Sequence, residues 1–223
     1  MLKEFYQLQN QKQKEFVSKL TPTTIPFLGI KIPLIKDFVK THEITYDILD
    51  AIKLNEYVEQ DILYGLFLNK LGTKKDERYY KYFKNYSKYL DNWCTCDTFV
   101  CNTNFKKKDY LKLYVLINEL LSGNDIQIRC ALILIKKYLI KEWTFDEIFS
   151  IISKIKYGSY YIDMAAAWLI CTMACYDFNY IYNNLFKINK LSSFVYKKSI
   201  QKMKDSYLIT KEQKELLKNI RPK

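Results

Sequence analysis

Five glycines and four prolines in 223 residues are too few turn formers to build a sandwich or a barrel. Three of the prolines fall between Pro22 and Pro33, so the rest of the chain is almost free of helix breakers. The expectation is an all-α protein of a single domain over residues 1–223, with 1–25 a short N-terminal helix and connection. Its length allows a substantial core.

The apolar spacing supports this. Leu2, Phe5, Tyr6, Phe16, Val17 and Leu20 predict one amphipathic helix over 2–20. The proline-bearing connection Pro26-Phe27-Leu28-Gly29-Ile30 follows. Beyond it, helices are expected at 33–41, 45–52, 55–71, 76–90, 93–102, 107–121, 125–139, 144–155, 158–174, 178–186, 192–204 and 210–219. Asp125 and Thr144 are N-cap candidates, and Thr144 with Glu147 forms a capping box. About a dozen helices with short joints suit antiparallel pairs stacked as a HEAT-like helical-repeat solenoid. An irregular α-helical bundle is the alternative.

Six cysteines (Cys94, Cys96, Cys101, Cys130, Cys171, Cys175) follow an N-terminus without an apolar signal segment. Reduced core thiols of a cytoplasmic protein are the expectation. A zinc site is the alternative, but neither close pair has knuckle spacing and the one histidine, His42, is remote in sequence. No metal or cofactor is expected. The longest apolar stretch, near Met164 to Cys175, is too short to span a bilayer, so no membrane partner is expected.

A net charge of +12 fits a nucleic-acid partner, although an AT-rich coding bias toward lysine produces the same excess. The charge is clustered. Lys74, Lys75, Arg78, Lys81, Lys84 and Lys88 interleave with Tyr79, Tyr80, Tyr82, Tyr86 and Tyr89. Lys106 to Lys108, then Lys136 and Lys137, then Lys197, Lys198, Lys202 and Lys204 follow. These clusters could flank a groove that grips two phosphate backbones, or form a solvated outer face on each repeat.

Trp93 and Asp97 are four residues apart, which puts indole and carboxylate on one helix face. Arg129 follows Trp93 by 36 residues and Trp168 follows Arg129 by 39, each near the ~40-residue length of a two-helix repeat. Two aromatics, one acid and one arginine at repeat spacing describe a binding groove with chemistry in it. Core tryptophans and an interhelical ion pair are the structural alternative.

These residues carry a resemblance. Trp93-Cys94-Thr95-Cys96-Asp97 resembles the Trp-x-x-x-Asp element of the AlkD-type DNA alkylation repair proteins, HEAT-like-repeat DNA glycosylases. Ile128-Arg129-Cys130-Ala131-Leu132 is similar to the family's arginine segment, and Ala165-Ala166-Ala167-Trp168 to its later alanine-rich helix. Phe27-Leu28-Gly29-Ile30 and Lys202-Met203-Lys204-Asp205-Ser206-Tyr207 resemble its two ends, so the likeness runs over residues 14 to 218. It implies hydrolytic excision of positively charged N3- or N7-alkylated purines from duplex DNA by a monomer. Asp97, Trp93 and Trp168 would be catalytic; Arg129, Lys106, Lys107, Lys136 and Lys202 would bind DNA, with Arg129 on a backbone phosphate. Fuller members carry a longer N-terminal region whose Tyr reaches the lesion. The corresponding place here falls near Leu20, with Phe16 a turn earlier, and neither has a hydroxyl. A member that binds DNA without excision, and a protein-binding helical scaffold, are the alternative functions.

Overall fold

The computed structural model of the protein describes residues 1–185 and 191–218. Among them are fourteen α-helices and no strand, as the scarcity of glycine and proline requires. The expected helices 178–186 and 210–219 each end on a residue outside the described ones. The chain divides into two compact units, Met1–Cys130 and Ala131–Lys223.

The first unit holds α1 (Leu2–Tyr6), α2 (Gln11–Leu20), α3 (Ile32–Thr41), α4 (Tyr46–Asp50), α5 (Val58–Leu71), α6 (Glu77–Ser87), α7 (Trp93–Cys101) and α8 (Tyr110–Leu121). It also holds the first turns of α9 (Asp125–Leu134). Alternate helices stack: α3 on α5 and α5 on α7 form one layer, and α6 on α8 belongs to the other. In that second layer Arg78 lies 3.9 Å over the ring of Tyr46, tying α6 to α4. α5 is buried nearly all round, from Val58 to Leu68, because it has neighbours on every side. In the first layer α3 begins at Ile32, α5 at Val58 and α7 at Trp93, steps of 26 and 35 residues, and α9 begins 32 residues after α7.

The N-terminal helix expected over 2–20 is broken. Asn10 interrupts it: its side chain accepts the Gln13 N–H at 2.9 Å and starts a new helix. Its own N–H donates to the Leu28 carbonyl at 3.3 Å. Phe5 of α1 is fully buried against Phe38, ring centroids 5.3 Å apart. α2 buries no residue, and Phe16 and Leu20 are 59% and 55% exposed. Periodicity alone could not reveal the break, since both pieces are amphipathic.

A buried carboxylate fixes the connection that follows. Glu59, 2% exposed in the first turn of α5, accepts N–H groups from Leu28 and Gly29 at 2.8 Å and Ile30 at 3.2 Å. Three donors satisfy a charge that burial would otherwise penalise. Gly29 has φ +82, and a Cβ there would lie 2.1 Å from the Asn10 carbonyl oxygen. Only glycine allows α2 to approach this loop backbone to backbone.

The second unit holds α10 (Phe145–Lys154), α11 (Tyr160–Tyr176), α12 (Phe178–Asn184), α13 (Ser193–Asp205) and α14 (Lys211–Leu216). α11 packs on α12 and α13, and Ala165, Ala166 and Ala167 are buried. Small side chains let neighbouring helices come close to it. The expected capping box starts α10: Thr144 Oγ1 accepts the Glu147 N–H, and Glu147 accepts the Thr144 N–H at 2.7 Å. At α9 the cap lies one residue before the expected Asp125. Asn124 Oδ1 accepts the Gln127 N–H at 3.0 Å, and Gln127 returns an acceptor to the Asn124 N–H. The helix expected over 125–139 stays α-helical only to Leu134 and widens into a π turn over Ile135–Leu139.

Candidate functional site

α7 presents the acid. Fully buried Asn92 caps it, accepting the Thr95 N–H at 3.0 Å, which fixes Trp93 as its first residue. Trp93 is half-buried, and Asp97 one turn later is half-buried on the same helix. Arg129 of α9 grips Asp97 with a planar fork: Nε donates to Oδ1 at 2.8 Å and Nη2 to Oδ2 at 2.7 Å. The arginine side chain is 6% exposed and the aspartate 19%. Burial pulls the guanidinium pKa down, but the hydrogen bonds to Asp97 outweigh it and raise the pKa above its ordinary value.

The pairing follows from repeat register. Asp97 and Arg129 are each four residues past the first residue of their helix, and they are 32 residues apart. Acid and arginine thus occupy the same position in α7 and α9, a register that the 36-residue spacing from Trp93 to Arg129 obscures. The expected phosphate ligand is thus the partner of the expected catalytic acid.

Burial holds the thiols of Cys94 and Cys96 beside this pair in their protonated form. Cys96 and Cys130 are fully buried with sulfurs 3.2 Å apart, and burial drives the Cys96 thiol far up. Burial likewise pushes Cys94 up to about 12, with the charges of Glu59 and Asp97 adding to it. At neutral pH Cys94 and Cys96 stay protonated and inert. Asp97, held by Arg129, is the charged carboxylate beside them.

Lys106 and Lys107, expected to bind DNA, are exposed where the chain enters a short 3₁₀ turn ahead of α8. The Lys106 N–H donates to Asp109 at 2.8 Å, which fixes the backbone there and leaves the lysine stem outside.

Trp168, Lys136 and Lys202 belong to the second unit. Trp168 is half-buried on α11, and the Lys136 ammonium lies 3.4 Å above its ring. That is a cation–π contact, so a cation already covers this indole face. Trp168 and Lys202 line one cavity of about 590 Å³, at whose edge Tyr207 and Leu208 are 97% and 72% exposed. Burial, with Cys175 beside it, raises the Cys171 thiol in that wall to about 12.

Among the described residues no group of three or more metal-ligating side chains converges, and no helix is long and apolar enough to cross a membrane. The sequence model of one family, described as DNA alkylation repair enzyme, matches residues 1–203. No curated protein matches the chain.

Proposed function

The chain belongs to the DNA alkylation repair enzyme family, and from that premise we propose that it excises positively charged N3- or N7-alkylated purines from duplex DNA by hydrolysis. The supporting observation is the half-buried Asp97 carboxylate, aimed by the Arg129 fork and one turn from Trp93.

A cationic purine leaves without being protonated. The bond from C1′ to the base nitrogen breaks, its electron pair neutralises the purine, and the sugar becomes oxocarbenium-like. Asp97 faces that charge. A carboxylate 4 Å from a unit positive charge contributes about 4 kcal/mol at an effective dielectric of 20. Arg129, about 3 Å further away, offsets roughly 2 kcal/mol of this by the same law. The net of about 2 kcal/mol is worth about 30-fold in rate. Water then bonds to C1′ and loses its proton to Asp97, which passes it to solvent.

Trp93 offers a π face to the cationic sugar or base, worth about 0.5–2 kcal/mol. Trp168 is assigned the same role, and a cationic ligand there replaces Lys136 on the occupied face or uses the other. Arg129 acts as the positioning residue of Asp97, since two of its donors are committed to the carboxylate. Lys106, Lys107, Lys136 and Lys202 are assigned to backbone phosphates, where each neutralised charge releases counterions.

Release of free bases from methylated duplex DNA, resolved by HPLC, tests the reading. The protein should liberate 7-methylguanine or 3-methyladenine, and Asp97→Asn should lose at least about 30-fold in rate per folded molecule. Parent-level release by that variant would remove Asp97 from the chemistry. Duplex binding with no release by the parent would leave a DNA-binding protein without excision.

A further inference from the structure

The basic and aromatic run from Lys74 to Lys88 is not part of the Asp97 site. It falls on α6, in the layer with α8, whereas Asp97 and Arg129 are on α7 and α9. The structure sorts its cations. Lys75 is buried, 3.9 Å over the Tyr79 ring, and its ammonium donates to the Gly72 carbonyl. Arg78 lies on Tyr46, and Lys84 pairs with Glu119 at 3.0 Å. Lys81 and Lys88 are exposed and have no carboxylate within ion-pair distance among the described residues.

Those two lysines share a concavity. They are seven residues apart, two helical turns, and so lie on one side of α6 about 10 Å apart. With Asn85, Tyr82 and Tyr89 they line a cavity of about 630 Å³ whose wall also includes Ile52 and Leu54. Asp50 accepts the Tyr82 hydroxyl at 2.7 Å and fixes that ring, while Tyr89 is 50% exposed. A second cavity of about 330 Å³ shares Lys81, Asn85 and Lys88 and is lined also by Gln127 and by Glu119, whose charge Lys84 neutralises.

We propose that this α6 groove is a second nucleic-acid site that holds single-stranded DNA, with Lys81 and Lys88 on phosphates and Tyr89 stacked on an unpaired base. Two uncompensated cations at two-turn spacing match a backbone that carries one charge per nucleotide. Exposed rings in a concave wall reach the face of a base only when it is not stacked in a duplex. Lys81, Asn85 and Lys88 line both cavities, so a strand lying along them meets two concave walls. This site goes beyond the excision chemistry and does not depend on it.

Fluorescence anisotropy of a labelled oligo-dT with the full chain, titrated across salt concentrations, tests the assignment. The double variant Lys81→Ala/Lys88→Ala should flatten the slope of log affinity against log salt by about 1.4, since each single-strand phosphate contact contributes about 0.7. Tyr89→Ala should weaken binding about 5- to 150-fold, the range of one lost base stack, and Tyr89→Phe should bind like the parent. An unchanged slope in the lysine variant overturns the site. So does parent-level affinity in Tyr89→Ala, and polyglutamate competing as well as unlabelled oligo-dT would reassign the lysines to an acidic protein. All three variants lie on the surface and should unfold at the parent's temperature. The probe is undamaged, so the result is independent of whether the protein excises bases.

Discussion

Removing either half of the Asp97–Arg129 pair should have unequal effects. Arg129 is 6% exposed and Asp97 19%, so water reaches a carboxylate that has lost its counter-charge more readily than a guanidinium that has lost its own. Breaking a buried pair by deleting one partner costs roughly 3–5 kcal/mol, mostly from the charge left behind. Asp97→Asn should therefore cost about 3.5 kcal/mol. Arg129→Met keeps most of the side-chain volume and leaves only the hydratable partner, and should cost about 2 kcal/mol. The double variant leaves no stranded charge and should also cost about 2 kcal/mol, making it more stable than Asp97→Asn alone. The coupling is then about 3.5 kcal/mol, well above the ~0.5 kcal/mol within which independent sites add. Thermal and urea unfolding followed by circular dichroism measure it. At about 2–4 °C per kcal/mol for a chain of this length, Asp97→Asn should lower Tm by about 7–14 °C. A double variant as unstable as the sum of the two singles would refute the reasoning. The same numbers explain why excision by Asp97→Asn has to be expressed per folded molecule.

Two further outcomes rest on buried acids of α5. Asp61 is 2% exposed, and burial pushes its carboxyl from 3.8 to about 7, with the Asn55 N–H pulling the other way and Asp91 adding to the rise. Between those values the folded protein holds a proton that the unfolded chain has released. Stability from this group is thus full below pH about 4, falls by up to about 1.4 kcal/mol per pH unit, and is lost above pH about 7. Asp61→Asn keeps an acceptor for the Asn55 N–H, and its unfolding free energy should change less than the parent's between pH 5 and 7; equal pH dependence in both proteins would place the proton elsewhere. Glu59→Gln should cost about 2–4 kcal/mol, because an amide oxygen is a weaker acceptor for three donors and its NH₂ opposes one of them. Urea unfolding measures this, and a loss under about 0.5 kcal/mol would mean the loop over 27–30 is held by other contacts.

Helix content was legible because it follows from local chemistry: few breakers, 3.6-residue periodicity and a capping box at Thr144 that closes as written. The repeat was legible only in outline. Asp97 with Arg129, Glu77 with Lys112, Lys84 with Glu119 and Asp146 with Tyr180 all pair across 32 to 35 residues. A search of the sequence for complementary groups at that interval would have found the fork. Spacing measured from Trp93 gave a longer period and hid it. The break at Asn10 was illegible, because what stops the helix is the distant Leu28 carbonyl and the glycine beside it. Which lysines are free was also beyond the sequence, since Lys84 and Lys88 differ only in whether Glu119 lies opposite.

α2 is attached through main-chain atoms: the Asn10 N–H on the Leu28 carbonyl, and Gly29 against the Asn10 carbonyl and the Lys14 amide. None of its ten side chains is buried. Folding of this segment therefore depends on Asn10, Gly29 and Glu59 more than on the side chains of α2, of which only Gln13, Lys14 and Val17 are half-buried. A lineage can rewrite the surface that α2 shows to its surroundings without unseating the helix. Exposed positions of this helix can therefore change the surface it shows while the rest of the first unit stays as it is.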